Sequence, residues 1–399
     1  MMKIVLAYSG GLDTSVALKW LQDRYSAEVI AFCANMGQFE LLEAIEAKAQ
    51  KIGASKVYLE DLREEYLGEY AFKALKANAA YEDNYLLAAP LGRPLIAKRL
   101  VEIAHQEKAD AVAHGATGKG NDQVRFYSSI TALDPTLRII APVIEWEMKS
   151  RNDEIEYAEK HNIDISISVD KPYSIDTNLW GTSIECGTLD DIKSSPPDAI
   201  YQITTSPLLA PNEPCDIAIG FAQGIPISLN DQSLAPVELI TQLNEIGSKH
   251  GVGRIDILEN RVVGIKTRGV YESPAGAILH YAHKELEKLV LDRDLLHYKA
   301  QVAQTYSKLV YYGLWFSPLR KALDAFIDDT QSRVTGSITL RLYKGNIIIL
   351  SRDSQYAMYD YSLSTYDVED QFEHQAGQGF SYIWSMPLRV KAKTDIKLV

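Results

Sequence analysis

Cysteine is scarce. Cys33, Cys186 and Cys215 are the only three in 399 residues, an odd number with no C-x-x-C pair. That usage excludes a disulfide framework and a structural zinc site. Positive charge is also in deficit: 41 Lys and Arg stand against 53 Asp and Glu, a net charge of −12. Counterion release from a nucleic-acid backbone needs clustered cations, so nucleic acid is not expected as the main partner. A polyanion can still be held by backbone N–H groups and a metal. No apolar run approaches the about 18 residues that a membrane span needs. The opening Met-Met-Lys leads into a strand-like run and not into a signal segment. The eight histidines include no His-x-x-x-His pair, so no protein-held metal site is expected. These absences predict a protein of the reducing cytoplasm, with neither membrane nor nucleic acid as partner. What is present, 46% hydrophobic and 24% charged residues, suits a sizeable buried core.

The first 165 residues alternate between two textures. Short β-branched or small apolar runs lie at Ile4–Tyr8, Val29–Cys33, Lys56–Leu59, Ala111–His114 and Arg138–Ala141. Helical spacing fills Ser15–Asp23, Glu40–Ile52, Pro94–Gln106 and Ser150–His161. Strands without clean alternation, separated by helices, predict a parallel sheet buried on both faces. Such a doubly wound domain binds its ligands at the carboxyl ends of the strands. Beyond this, Asp170–Pro214 reads as loop. Hairpins are expected at 217–229, at 255–266 around Asn260-Arg261, and at 338–351 around Lys344-Gly345. Helices are expected at Pro236–His250, Ala275–Val290 and Pro318–Thr330. The whole reads as an α/β protein: an N-terminal doubly wound nucleotide-binding domain (1–165), an α+β synthetase domain (166–354) and a C-terminal arm (355–399) suited to packing on another subunit.

Chemistry concentrates in two strings. Ala7-Tyr8-Ser9-Gly10-Gly11-Leu12-Asp13-Thr14-Ser15 follows the first strand and opens the first helix. Its glycines permit a tight turn, and the helix terminus offers free N–H groups and a positive dipole end to an anion. Asp13 would repel a bare phosphate; it makes sense as a group that shapes the loop or recruits Mg²⁺ to a pyrophosphate. The second string, His114 to Phe126, places Gly115, Thr117, Asn121, Asp122 and Arg125 at the end of the fourth strand. An ordinary capped turn does not account for that density of hydrogen-bonding types. A Walker A loop is absent, since Gly115–Gly120 fails its spacing.

The first string resembles the pyrophosphate loop, Ser-Gly-Gly-x-Asp-Ser/Thr, of the N-type ATP pyrophosphatases (PP-loop superfamily). Together with HGATGKGNDQVRF, KPYSID, HGVGRIDILENR, TRGVYESPAG and GLWFSP, the chain is similar to the argininosuccinate synthase family over nearly its whole length. The resemblance implies ligation of citrulline and aspartate at the expense of ATP, by way of a citrullyl-adenylate, with release of AMP and pyrophosphate. It further implies Mg²⁺ and a homotetramer. Residue by residue it places ATP on Ala7, Tyr8, Ser9, Gly10, Gly11, Leu12, Asp13, Thr14, Ser15, Ala34 and Gly115. Aspartate falls on Thr117, Asn121 and Asp122, and citrulline on Tyr85, Asn121, Arg125, Ser174, Ser183, Glu259 and Tyr271. Asp13, Asp122 and Arg125 are the catalytic candidates. Arg125 suits a carboxylate and Glu259 an α-ammonium group. One departure stands out: Pro90 occupies a position where some members offer citrulline a hydroxyl.

Three other readings compete with this one. Other pyrophosphate-loop enzymes need a glutaminase partner, reactive cysteines or a basic RNA surface, none of which the sequence offers. A non-enzymatic nucleotide-binding module has no use for the second-half motifs. A catalytically impaired homologue is compatible with Pro90. Cys186 is expected to be a small buried residue and not a nucleophile, because no His motif adjoins it. Trp180, Trp315 and Tyr311-Tyr312 read as core or subunit contacts, and Lys391, Lys393 and Lys397 as a solvated face.

Overall fold

A computed structural model describes residues 1–38, 42–164 and 173–396. Its first layer is the expected parallel sheet. Strands β1 (Lys3–Ala7), β2 (Glu28–Asn35), β3 (Lys56–Asp61), β4 (Ala111–Ala113) and β5 (Arg138–Ile140) lie in the order β3-β2-β1-β4-β5. Ile4, Val5 and Leu6 are buried on both faces of β1, as are Ala111, Val112 and Ala113 on β4. Helices therefore cover both sides, and the apolar runs cannot alternate. The chain leaves β1 towards β2 and later returns to β1's other edge with β4. That reversal opens a crevice at the carboxyl ends of β1 and β4, where doubly wound sheets bind ligands.

The helix before β4 departs from its expected start. It spans Ala88–Glu107 and takes Pro90 and Pro94 into its first two turns. Pro90 costs nothing there, since the N–H of a first-turn residue has no intrahelical acceptor. The helix Arg151–Lys160 starts as the sequence suggests: Ser150 Oγ accepts from Asp153 N at 3.2 Å in a capping box. The helix described from Leu42 to Ile52 matches the later part of the expected Glu40–Ile52; residues 39–41 lie outside the described residues.

The second half carries two antiparallel sheets. In one, β6 (Ser174–Asn178), β7 (Gly181–Glu185), β11 (Arg254–Asn260) and β12 (Lys266–Glu272) lie in the order β11-β12-β7-β6. In the other, β8 (Cys215–Ala222), β9 (Ile225–Leu229), β10 (Gln232–Ser233), β13 (Gly336–Tyr343) and β14 (Asn346–Asp353) lie in the order β10-β9-β8-β13-β14. The inward residues of β8, Ile217, Ile219 and Phe221, join one core with Ile278 and Leu286 of the helix Pro274–Val290.

Three expectations need correction. The stretch read as loop holds the short hairpin β6–β7, whose second strand gains its other ladder from distant β12, a pairing invisible to local pattern. The partner of β11 starts at Lys266 and not at Val262, because Val262 N donates to Asn121 Oδ1 at 2.9 Å and so leaves the ladder. Cys186 is exposed, with φ at 71° at the start of a short 3₁₀ turn. Partial desolvation and the Glu185 and Asp190 carboxylates push its thiol pKa up, which disfavours a nucleophile. The structure adds a long helix, Arg293–Tyr311, to those expected. By compactness, residues Met1–Tyr356 form one unit and Ala357–Val399 another. Within the smaller unit the helices Tyr361–Ser364, His374–Trp384 and Met386–Ile396 bury no residue. Lys391 and Lys393 are exposed there, and Lys397 lies outside the described residues.

Candidate functional site

The phosphate loop joins β1 to the helix Leu12–Tyr25. Gly10 turns the chain with φ at 78°, and a Cβ there would meet Ile45 Cγ1 at 3.1 Å. Any other residue would pay both costs. The next residue, Gly11, is the N-cap and offers no side-chain cap, so the first N–H groups of the helix stay open to an anion. Side chains hold this shape from behind. Tyr8 Oη meets Ser15 Oγ at 3.1 Å, Ser9 Oγ meets Thr14 Oγ1 at 3.1 Å, and Ser15 Oγ donates to Gly10 O at 3.4 Å. Burial raises the Tyr8 phenol to about 12, so it stays protonated. Lys48, which the sequence did not single out, donates to Gly10 O at 2.7 Å; burial pushes its pKa down against the opposing pull of Asp164.

Asp13 stands exposed beside this frame, on the first turn. None of the side-chain hydrogen bonds that hold the loop from behind uses Asp13. Its neighbour is Glu154, whose carboxyl is pushed up to about 8 first by burial and then by the Asp13 charge. Among the described residues no three His, Cys, Asp or Glu converge as a metal cage. One or two carboxylates suit a Mg²⁺ whose other ligands are water and substrate phosphates.

The second loop reaches the first through Gly115. A Cβ on Gly115 would lie 2.9 Å from Thr14 Cγ2, so the two loops can touch only with glycine there. His114, buried at the end of β4, accepts from Ala116 N at 3.2 Å through Nδ1 and stacks on Phe126 with centroids 5.1 Å apart. Burial lowers its pKa to about 4, leaving a neutral ring near pH 7. Ala34 is the next-to-last residue of β2 on the other side, where its carbonyl accepts from Gln38 Nε2 at 2.9 Å. Thr117 is exposed on the loop.

Beyond the loop, the helix Asn121–Leu133 carries Asn121, Asp122 and Arg125 into a buried polar cluster. Asp122 accepts from Arg93 Nε at 2.8 Å and from Arg125 Nη1 at 2.9 Å. Burial would raise this carboxyl, but the two guanidiniums outweigh it and hold the pKa near about 2. Arg93 also binds Asp176 on β6. Arg125 is 4% exposed; its Nε donates to Tyr311 O at 2.9 Å, while its Nη2 has no hydrogen-bond partner. A buried guanidinium with one open arm is prepared for an anion, because leaving that donor unmet is costly.

The opposite charge is supplied by Glu259, 1% exposed on β11. Tyr311 Oη donates to its Oε1 at 2.8 Å and Tyr271 Oη to its Oε2 at 2.9 Å. Burial raises its pKa, partly offset by those two hydrogen bonds. Tyr85 stacks on Tyr271 with centroids 3.9 Å apart, and Ser183 lies opposite Tyr271 in the β7–β12 register with its Oγ unpartnered. Tyr85, Asn121, Asp122, Arg125, Ser183, Glu259 and Tyr271 thus come together from five segments. Ser174 is exposed at the start of β6, opposite Glu185 in the β6–β7 register. Pro90 is buried in the first turn of its helix, where it offers no donor. Sequence reasoning missed Arg93, Asp176 and Tyr311. Asp176 ends the quoted KPYSID string without a role, and Tyr311 reads as a core or subunit contact.

This arrangement pairs an anion loop at a switch point with a buried cation and a buried anion facing a tyrosine-lined wall. Comparisons with known proteins agree. The model of the arginosuccinate synthase N-terminal HUP domain matches residues 3–164, and that of the arginosuccinate synthase C-terminal domain matches residues 173–391. Among curated relatives, the argininosuccinate synthase of Rhodococcoides fascians is 55% identical over 388 residues, covering 97% of this chain and 98% of its own. That of Caldanaerobacter subterraneus is 53% identical over 394 residues, covering 99% and 96%. That of Pelodictyon phaeoclathratiforme is 52% identical over 387 residues, covering 97% of each. With identity this high along the full length, and with the phosphate loop and the charged cluster in place, the chain belongs to the argininosuccinate synthase family.

Proposed function

We propose a residue-level account of the family's reaction, the ATP-dependent ligation of citrulline and aspartate to argininosuccinate with release of AMP and pyrophosphate. The observation that carries it is the pair of buried charges, Arg125 with an open Nη2 and Glu259 across the tyrosine wall. An amino-acid zwitterion is complementary to such a pair: its carboxylate meets Arg125 and its ammonium meets Glu259. Tyr85, Ser183 and Tyr271 line the space between, and Asn121 lies where citrulline and aspartate meet. Held by both ends, citrulline presents its ureido group towards the phosphate loop.

A ureido carbon resists amines until its oxygen becomes a leaving group. That oxygen attacks the α-phosphorus of ATP. The pyrophosphate then departs on the N–H groups of the Gly10–Ser15 turn, which need no reorganisation to receive charge. The aspartate amine, placed by Thr117, Asn121 and the region of Asp122, attacks the activated carbon and expels AMP. Positioning and fixed charge do the catalytic work, with no covalent bond to the protein. Asp13 would hold the Mg²⁺ that accompanies ATP, whose contribution is to neutralise phosphate charge. We assign the protein to the cytoplasm as a homotetramer, the C-terminal unit packing on another subunit.

Citrulline labelled with ¹⁸O in the ureido group tests the route. The label is expected in AMP and not in pyrophosphate, and ATP–pyrophosphate exchange is expected to depend on citrulline. Label in pyrophosphate, or release of ADP, would overturn it.

A further inference from the structure

Tyr311 is the last residue of the helix Arg293–Tyr311, and it is fully buried. By sequence it belongs with the core aromatics, and its ring does stack on Tyr81 with centroids 3.6 Å apart. Its polar atoms do something else. The hydroxyl donates to Glu259 Oε1 at 2.8 Å and accepts from Asn121 Nδ2 at 2.9 Å. The carbonyl accepts from Arg125 Nε at 2.9 Å, and the Arg125 guanidinium lies 4.8 Å from the ring centroid. Three groups assigned to substrates, on two different segments, therefore meet on one residue that the family resemblance assigns to no substrate.

A phenol hydroxyl has a single proton. Spent on Glu259, it leaves only lone pairs for Asn121, so the asparagine must turn its amide nitrogen towards Tyr311. Its Oδ1 is then free to accept from Val262 N at 2.9 Å, which closes the arrangement. Reversing the amide would set Oδ1 against a lone pair and Nδ2 against an N–H. Tyr311 thus sets the orientation of Asn121, the side chain shared by both amino-acid sites. The same hydroxyl stabilises the ionised form of Glu259, the form an ammonium group needs.

We infer that Tyr311 is a positioning residue of the amino-acid site, holding the Glu259 carboxylate ionised and the Asn121 amide in one orientation while its carbonyl aims Arg125. This rests on the assignment of Glu259 and Arg125 to citrulline. Around Glu259 stand Tyr271 and Tyr311 as donors, Arg125 and Glu185 as charges, and Tyr81 and Tyr85 beside them. Of these, Tyr271 and Tyr311 alone donate to the carboxylate, one to each oxygen.

Tyr311→Phe keeps the ring stack and the carbonyl and removes the hydroxyl alone. Hydrogen bonds to charged groups predict a rise of about 10- to 100-fold in the KM for citrulline, with the KM for ATP changed by about twofold or less. With one donor lost, the Glu259 carboxylate is less stabilised and its pKa rises, so the acidic limb of kcat/KM for citrulline moves to higher pH. Tyr271→Phe moves the same limb in the same direction. A filler of the core would instead affect all three substrates alike and leave the limb in place. In a double-mutant cycle, Tyr311→Phe costs less in the Glu259→Gln background than in the wild type, the remainder passing through Asn121, and fully additive effects would overturn the inference. So would an unmoved limb, or a lower folded fraction with normal citrulline KM in the folded remainder. If Glu259→Gln and Tyr271→Phe also leave the citrulline KM unchanged, the citrulline assignment itself fails. If they raise it and Tyr311→Phe does not, only this inference fails.

Discussion

Arg125 and Glu259 show how two side chains divide the recognition of one zwitterion. Each is nearly closed to solvent, and each already has partners that fix its direction. A substrate charge arriving between them meets groups whose desolvation and orientation were settled when the chain folded. Replacing either with Ala removes a charged hydrogen bond without a substitute, a loss of about 2–4 kcal/mol. The KM for citrulline is expected to rise about 30- to 1000-fold in each variant, and that for ATP far less. Steady-state kinetics with each substrate varied in turn decides the matter; equal effects on all three would remove the clamp. Asp122 belongs to the same logic. Both of its oxygens face arginines, so in this structure it serves as their counter-ion.

Among the elements, the contact between the two βα loops matters most. The phosphate loop follows β1 and the second loop follows β4, neighbouring strands in parallel register with Leu6 opposite Ala113. The register brings Gly115 against Thr14, whose hydroxyl is in turn tied to Ser9. Gly115→Ala forces a methyl group into that contact and displaces Thr14, and through it the Ser9 end of the pyrophosphate site. The KM for ATP is expected to rise by about tenfold, the equivalent of about 1.4 kcal/mol, from overpacking at a rigid contact. Arg125 and Glu259 make no part of this contact, and the affinity for citrulline should be kept, measured by direct titration with citrulline. An unchanged ATP KM would mean the loops can part without consequence.

For the molecule as a whole, the smaller C-terminal unit poses a physical problem. Its helix His374–Trp384 presents Phe380, Tyr382, Ile383 and Trp384 to solvent, each more than half exposed. Apolar surface of that kind is stabilised when covered, and the homotetramer reading supplies the cover. Removing residues 357–399 is expected to leave a folded body with one cooperative melting transition, because the body's core is complete without them. Sedimentation should then show a species smaller than a tetramer. A tetramer that survives the truncation would assign the exposed helix to some other partner.

Much of this protein is legible in its sequence because the responsible interactions are local. The five parallel strands announced themselves as short apolar runs without alternation, the phosphate loop as a Gly-Gly turn between strand and helix, and the helix at Arg151 by helical spacing over Ser150–His161. Motifs read as strings located Asn121, Arg125, Glu259 and Tyr271. Tertiary structure decided what those residues do to one another. β7 is a strand because β12 offers it a ladder, and β12 begins late because Asn121 captures Val262 N. Arg93 becomes the partner of Asp122 and Asp176 through a helix that starts earlier than its prolines suggest. Tyr311, one aromatic among many in the sequence, becomes the hinge of the site because its hydroxyl lands between Glu259 and Asn121. A hydrogen bond between residues 52 positions apart depends on packing that no local pattern encodes.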